Sequence, residues 1–282
     1  MGALAELWDG ATSVKLLQAL SKAEIGGAEA VLIFQTFESI RKKVVGTSFR
    51  TAFIGEGSVL LDVDCDVFLA DTEKSVESLQ LGKRDLSKIQ TRDENAWVIN
   101  SQVNFCAKVF QTEHGSEEDA PSLSVLARYM QDGFLHQHIR EQGGAYGGGA
   151  GYDPDSRSFR FYSYRDPRLM ETFNDFARCV EWFLGDRSQS RLEESILGTI
   201  RALDQPSSPS GEAEHAFLDE LFGRSYEFKK GYRDSVLAVT HDSLRRVCEK
   251  YLLSDGGGLG VFCRSGNEQA LQTQGMQVGE LL

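Results

Sequence analysis

The run Arg140-Glu-Gln-Gly-Gly-Ala-Tyr146-Gly-Gly-Gly-Ala-Gly151 constrains the fold of this chain more than any other stretch. A helix does not run through it, because each glycine inside a helix costs about 1 kcal/mol relative to alanine. Leu123, Leu126, Met130 and Phe134 repeat at helical spacing just before it, which predicts a helix over 122–139 that ends here. Asp153-Pro154-Asp155 just after it is a turn signal, so 144–152 and 157–164 are expected to form a hairpin. The run is therefore a helix end turning into a strand. Arg140 and Tyr146 flank a backbone with almost no side chains. Arginine carries a permanent cation and tyrosine an O–H donor. Glycine lets the backbone take positive φ and lets another chain come close. Such a segment suits gripping a peptide, or the oxygen of a carbonyl under attack. The same composition also suits a hairpin edge whose small residues only permit close packing.

The rest of the chain organises around this centre. Val14, Leu17 and Leu20, then Ala30, Phe34, Phe37, Ile40 and Val44, predict two helices in the first 45 residues. Phe49 to Ile54 reads as a strand. Two helices and one strand make no sheet-backed core, so residues 1–55 are expected to be the C-terminal remnant of a preceding α+β domain. Residues 56–95 read as a connector, with a short helix near Ser75–Leu79 and polar runs at Lys83-Arg84-Asp85 and Thr91–Asn95. Residues 96–282 read as a complete α+β domain: a sheet with helices on one face. Its elements are a strand over Trp97–Phe110, the helix and hairpin above, and a helix with Asp166 as cap and Pro167 in its first turn. A further helix is expected to open on the Ser190–Glu193 capping box. More helices span about 211–252, and Leu259–Cys263 is the last strand.

Several function classes fall away. The chain has 282 residues and a formal net charge of −12, against the basic stripes that nucleic-acid binding requires. An acidic chain could steer basic peptides toward itself, although most acidic balances simply serve solubility. No window approaches a membrane span, and no basic, apolar leader opens the sequence. The expected setting is a bacterial cytoplasm or an organelle matrix. The five cysteines are scattered and form no Cys-x-x-Cys, which predicts free thiols.

Motifs for other chemistries are incomplete. No phosphate-cradle or Gly-x-Ser-x-Gly pattern occurs. His136 and His138 lie two apart, which on a helix points them to different sides. Glu214-His215 matches the end of His-x-x-Glu-His, but position 211 is glycine. Asp153 and Asp155 are better explained by a turn than by paired-acid catalysis.

The Arg140–Gly151 run together with Phe161-Tyr-Ser-Tyr-Arg-Asp-Pro167 resembles the pitrilysin/insulinase family of zinc metallopeptidases, in its presequence-protease branch. Ser101–Asn104, Ile196–Ile200 and Gly231–Asp234 support the match. It covers roughly 96–252, and the first 55 residues more loosely. The resemblance implies similar α+β domains arranged as two halves around a chamber. The N-terminal half carries zinc on His-x-x-Glu-His with a distal Glu. The C-terminal half lacks that motif and lends an arginine and a tyrosine to the site, here Arg140 and Tyr146. Gly143, Gly144, Gly147 and Gly148 would then line the substrate backbone. Zinc belongs to the full enzyme, held by the N-terminal half of the same protein, and no metal is expected on this chain. The implied substrates are unfolded or basic oligopeptides. The alternative is a stand-alone, inactive binding or scaffold subunit that pairs with a separate zinc-bearing chain.

Overall fold

The structure, a computed structural model, describes residues 10–22, 27–45, 52–60, 94–112, 118–253 and 257–280. Chain contacts divide it into two units, Met1–Ala11 with Thr91–Gln205 and Tyr226–Leu282, and Thr12–Gln90 with Pro206–Ser225. The helices are α1 (Ala11–Ser21), α2 (Ala28–Val45), α3 (Gly57–Leu60), α4 (Ala120–Met130), α5 (Met170–Gly185), α6 (Gln189–Leu203), α7 (Pro209–Leu221), α8 (Tyr226–Leu237), α9 (His241–Tyr251) and α10 (Glu268–Thr273). The strands are β1 (Glu94–Ile99), β2 (Asn104–Gln111), β3 (Gly147–Asp153), β4 (Ser158–Asp166), β5 (Gly258–Arg264) and β6 (Gln277–Glu280).

The first unit holds all six strands in the order β3-β4-β2-β5-β1-β6. β1 runs parallel to β5 and β6, and the other pairs are antiparallel. Phe159, Phe161, Val261 and Cys263 point from this sheet into a core shared with Leu123, Leu126, Met130 and Ile139 of the helical layer. Burying a side chain of that size contributes about 1.5–3 kcal/mol. On β4 the alternate residues Arg160, Tyr162 and Tyr164 are exposed, which is the period-2 pattern of a sheet covered on one face. An α+β domain with a mixed sheet and one helical layer is the architecture expected from the sequence.

The helix expected over 122–139 is present, but its second half changes winding. α4 continues into a π-helix over Gln131–Gln142. π-Helical turns are rare and cluster at functional sites. The hairpin is found as expected, with Gly147 opposite Tyr164 and Asp153 opposite Ser158.

Other elements differ. The strand expected over Trp97–Phe110 is two strands. The Ser101 N–H donates to Ile99 O (2.9 Å) and the Ser101 Oγ accepts from Val103 N–H (3.1 Å), which breaks the run. β4 continues through Asp166, paired with Asn104, so Pro167 precedes the next helix instead of opening it. Asp166 Oδ1 accepts from Arg168 N–H (2.9 Å) and Oδ2 from the Thr172 hydroxyl (2.7 Å). α6 is capped by Ser188, whose hydroxyl accepts from Arg191 N–H at 3.4 Å, so Ser190 already lies inside the helix. β6 has no counterpart in the sequence reading. Of the expected strand Phe49–Ile54, residues 52–54 are irregular, since no described strand pairs with them. The expected helix near Ser75–Leu79 lies outside the described residues.

In the second unit the two helices read from the sequence appear as α1 and α2. α2 leaves Phe34, Phe37, Ile40 and Val44 exposed. Among the described residues, no helix is long and apolar enough to cross a membrane.

Candidate functional site

The π-helix ends by handing its last carbonyls to a turn. Gly144 N–H donates to Arg140 O (3.1 Å) and Ala145 N–H to Ile139 O (3.1 Å). Gly144 has φ +78°, a left-handed conformation that side-chain-bearing residues resist. That single residue reverses the chain between Arg140 and Tyr146. Tyr146 N–H then donates to Arg165 O (3.3 Å), which starts the β3–β4 pairing.

Arg140 is exposed on the last turn, and Tyr146 is 70% exposed at the foot of β3. The structure thus brings both sequence-identified residues to one turn, with Tyr146 open to a ligand. Gly143 is buried instead of facing outward. A Cβ there would lie 2.0 Å from Arg168 Nη2 and 2.5 Å from Ile139 O. Gly144 is exposed. Gly147 and Gly148 begin β3, which is an edge strand of the sheet. A Cβ at Gly147 would meet nothing nearer than Tyr164 Cβ at 4.0 Å, while one at Gly148 would lie 2.6 Å from Ile139 Cγ2.

Two arginines to which the sequence reading gives no role complete the turn. Arg165 takes φ +51° at the end of the hairpin. Its guanidinium carbon lies 5.9 Å from the Tyr146 ring centroid and 5.5 Å from that of Tyr164. The two tyrosine rings meet edge-on at 6.0 Å, and Phe105 abuts Tyr164 at 5.3 Å. Tyr146 is therefore an exposed phenol braced at its ring by a cation and a second aromatic. Arg168 works from behind the turn. Its Nη2 donates to His138 O (3.1 Å) and its Nη1 to Asp175 Oδ2 (3.0 Å). It ties the π-helix to the start of α5 and occupies the space that a side chain on Gly143 would need. The hairpin register could have flagged Arg165, which it sets opposite Tyr146. Nothing local in the sequence flags Arg168.

Asn104, 1% exposed, locks the base of this site. Its amide donates to Asp166 O (3.3 Å) and Arg168 O (3.1 Å). Its carbonyl accepts from Arg264 N–H (3.1 Å) and Asn267 Nδ2 (3.2 Å).

His138, His136 and Asp153 are engaged in local contacts. His138 stacks on Phe134 at 3.8 Å and its Nδ1 lies 3.0 Å from Phe134 O, while His136 Nδ1 faces Glu141 at 3.2 Å. Asp153 accepts from Asp155 N–H (2.9 Å) and the Ser156 hydroxyl (2.7 Å), as a turn residue does. Among the described residues, no group of three or more His, Cys, Asp or Glu could hold a metal ion. Cys106, Cys179, Cys248 and Cys263 are buried free thiols. Burial pushes Cys106 and Cys248 up to about 12.

A family model described as the PreP C-terminal domain matches residues 94–251, more than half of the chain. The chain belongs to that family. The mitochondrial presequence protease of Mus musculus is 40% identical over 157 residues, 55% of this chain and 15% of that protein. The first curated relatives are matched over only 15% to 18% of their own length. The crystal structure of pitrilysin superposes with a TM-score of 0.50 at 17% identity, over 66% of this chain and 22% of that one. The inactive peptidase domain of a zinc protease from Bordetella parapertussis superposes with a TM-score of 0.50 at 16% identity, over 57% of this chain and 92% of that one. At those identities the superpositions establish a shared fold. The chain thus has the fold of the pitrilysin family and the sequence of the C-terminal domain of its presequence-protease branch.

Proposed function

We propose that this chain is the zinc-free C-terminal part of a metallopeptidase that degrades unstructured peptides. In this reading it closes the substrate chamber and presents Arg140 and Tyr146 to a peptide carbonyl. The observation that carries the proposal is the turn at Gly144, which exposes a braced phenol within six residues of an exposed arginine, at the foot of a glycine edge strand. In this reading the Tyr146 O–H and the Arg140 guanidinium donate hydrogen bonds to the same ligand, a backbone oxygen gaining negative charge. Donors positioned beforehand in this way typically contribute about 10²–10³ in rate each. Gly147 and Gly148 leave the edge of β3 low, so that an extended peptide can lie beside it. Recognition through the backbone tolerates many sequences.

Zinc and its general base would sit on the N-terminal half of the same protein. On this reading, residues 1–55 close a preceding domain, 56–95 connect, and 96–282 form the domain that carries Arg140 and Tyr146. The exposed apolar residues of α2 support such a division, since they suit burial against further chain. The relatives named as mitochondrial support an organelle matrix as the setting.

The test is cleavage of a basic, unstructured fluorogenic peptide by this chain, with and without an added half bearing His-x-x-Glu-His. The expected result is no turnover by the chain alone and turnover on mixing. In the mixture, Tyr146→Phe and Arg140→Ala should each lower kcat/KM by about 10²–10³ with zinc content unchanged. Wild-type kinetics in both variants would remove the roles assigned to these residues.

A further inference from the structure

The end of the sheet that carries Tyr146 holds a second feature that the peptide-carbonyl reading does not use. β3 begins there, β4 ends there, β2 begins there, and the parallel strands β5 and β1 both end there. Off the ends of β5 and β1 lies a cleft of about 350 Å³ lined by Asn100, Ser101, Gln102, Arg264, Ser265 and Asn267. Among the described residues, no apolar side chain lines it. The carboxyl ends of parallel strands are a recurrent place for ligands in open sheets.

Among the described residues, the one charged side chain in that lining is the cation of Arg264. Arg264 is exposed, and its guanidinium has no ion-pair or hydrogen-bond partner among the described residues. The nearby Glu268 turns its carboxylate onto Gly266 N–H at 2.7 Å. The Ser101 oxygen already accepts from Val103 N–H, which leaves its hydroxyl proton to donate. One forked cation with amides and hydroxyls around it is the donor set of a carboxylate site.

The cleft is held in register with Tyr146. Asn104 grips Arg264 N–H and Asn267 on one side, and the carbonyls of Asp166 and Arg168 on the other. β5 is three strands from β3, about 14 Å at the usual strand spacing. An extended peptide covers that distance in about four residues.

We propose that the Arg264 cleft binds a peptide carboxylate, and that it anchors a chain whose backbone lies about four residues away at Tyr146. The anchoring rests on the function proposed above; the carboxylate site itself does not. A C-terminal carboxylate and an acidic side chain share this chemistry, and the experiment separates them.

The first arm titrates the chain with N-acetyl-trialanine and with its C-terminal amide, followed by ¹H–¹⁵N spectra. The expected result is saturable shifts at Arg264 and Asn100 with the acid only, lost in Arg264→Gln and partly kept in Arg264→Lys. Equal responses to acid and amide, or an acid response that survives Arg264→Gln, would overturn the site. Arg264→Gln should fold normally, because only the backbone of Arg264 is engaged in the structure.

The second arm measures fluorescence anisotropy with a basic unstructured peptide in three forms: free acid, amide, and amide with glutamate at the last position. Amidation should weaken binding about tenfold in the wild type and leave Arg264→Gln unaffected. Rescue by the glutamate form assigns the cleft to acidic side chains as well as termini, and no rescue assigns it to the terminus. Tyr146→Phe should weaken all three forms while preserving the ratio of acid to amide. A preserved first arm with no peptide binding in the second refutes the peptide-carbonyl reading and the anchoring, while leaving the carboxylate site standing.

Discussion

Gly143→Ala against Gly147→Ala is the sharpest test of how this turn is built, because the chemical change is identical and only the surroundings differ. A Cβ at residue 143 would lie 2.0 Å from Arg168 Nη2 and 2.5 Å from Ile139 O. Ile139 O is backbone, so the end of the π-helix must shift, and the Arg168 guanidinium must leave altogether. It then loses its bonds to His138 O and to Asp175. A hydrogen bond involving a charged group contributes about 1.5–3 kcal/mol. The Arg168 side chain keeps 25% of its exposure, and water compensates part of the loss. About 3 kcal/mol is therefore expected for Gly143→Ala. At about 2–4 °C per kcal/mol for a domain of this size, Tm should fall by about 6–12 °C. At Gly147 the nearest atom is 4.0 Å away, and alanine replaces a residue that weakens strands. Gly147→Ala should leave Tm unchanged or raise it slightly. Thermal unfolding followed by tryptophan fluorescence reads both, with Trp182 packed against Tyr129 and Phe134 as reporter. A loss below about 1 kcal/mol in Gly143→Ala, or equal losses in the two variants, would refute the assignment of Arg168 as the brace of this turn.

Two further outcomes follow from buried titratable groups. Burial by itself would raise the Asp119 carboxyl, but hydrogen bonds from Arg246, Tyr251 and Lys250 outweigh it and hold the group below the usual carboxylate range. Its stabilisation is therefore full above the unfolded-state value and is lost as pH falls through the folded-state value. Asp119→Asn should cost about 1–2 kcal/mol at neutral pH, since Arg246 and Lys250 are half-exposed, and the difference from wild type should vanish on acidification. A pH-independent difference in urea unfolding would contradict this. Cys106 and Cys248 have thiols pushed up to about 12 by burial, so native protein at pH 8 should leave them unlabelled by iodoacetamide until denaturant is added. Rapid native labelling of either, read by peptide mass mapping, would mean that the core opens there.

Features that depend on neighbours a few residues apart are legible along the chain. The helical repeat through Phe134, the turn at Asp153-Pro154-Asp155 and the glycine run placed a helix end and a hairpin correctly, and with them Arg140 and Tyr146. These signals are local, because helix periodicity and turn chemistry act over a few residues. Boundaries were less legible where two local solutions compete. Ser188 and Ser190 are both plausible caps, and Asp186, bonded to Tyr129 and Arg191, favours the earlier start.

Which distant groups meet depends on the assembled fold. The parallel placement of β1 beside β5 and β6, the partner that makes β6 a strand, and the winding of 131–142 have no local signature. Asn104 bonds to Arg264 across 160 residues, and Arg168 reaches back to His138 across 30. Such contacts form only after the chain has closed long loops, and the energy that selects them lies in the assembled core. Arg140 and Tyr146 are thus readable one at a time. The brace behind them and the polar cleft beside them exist only once the sheet is complete.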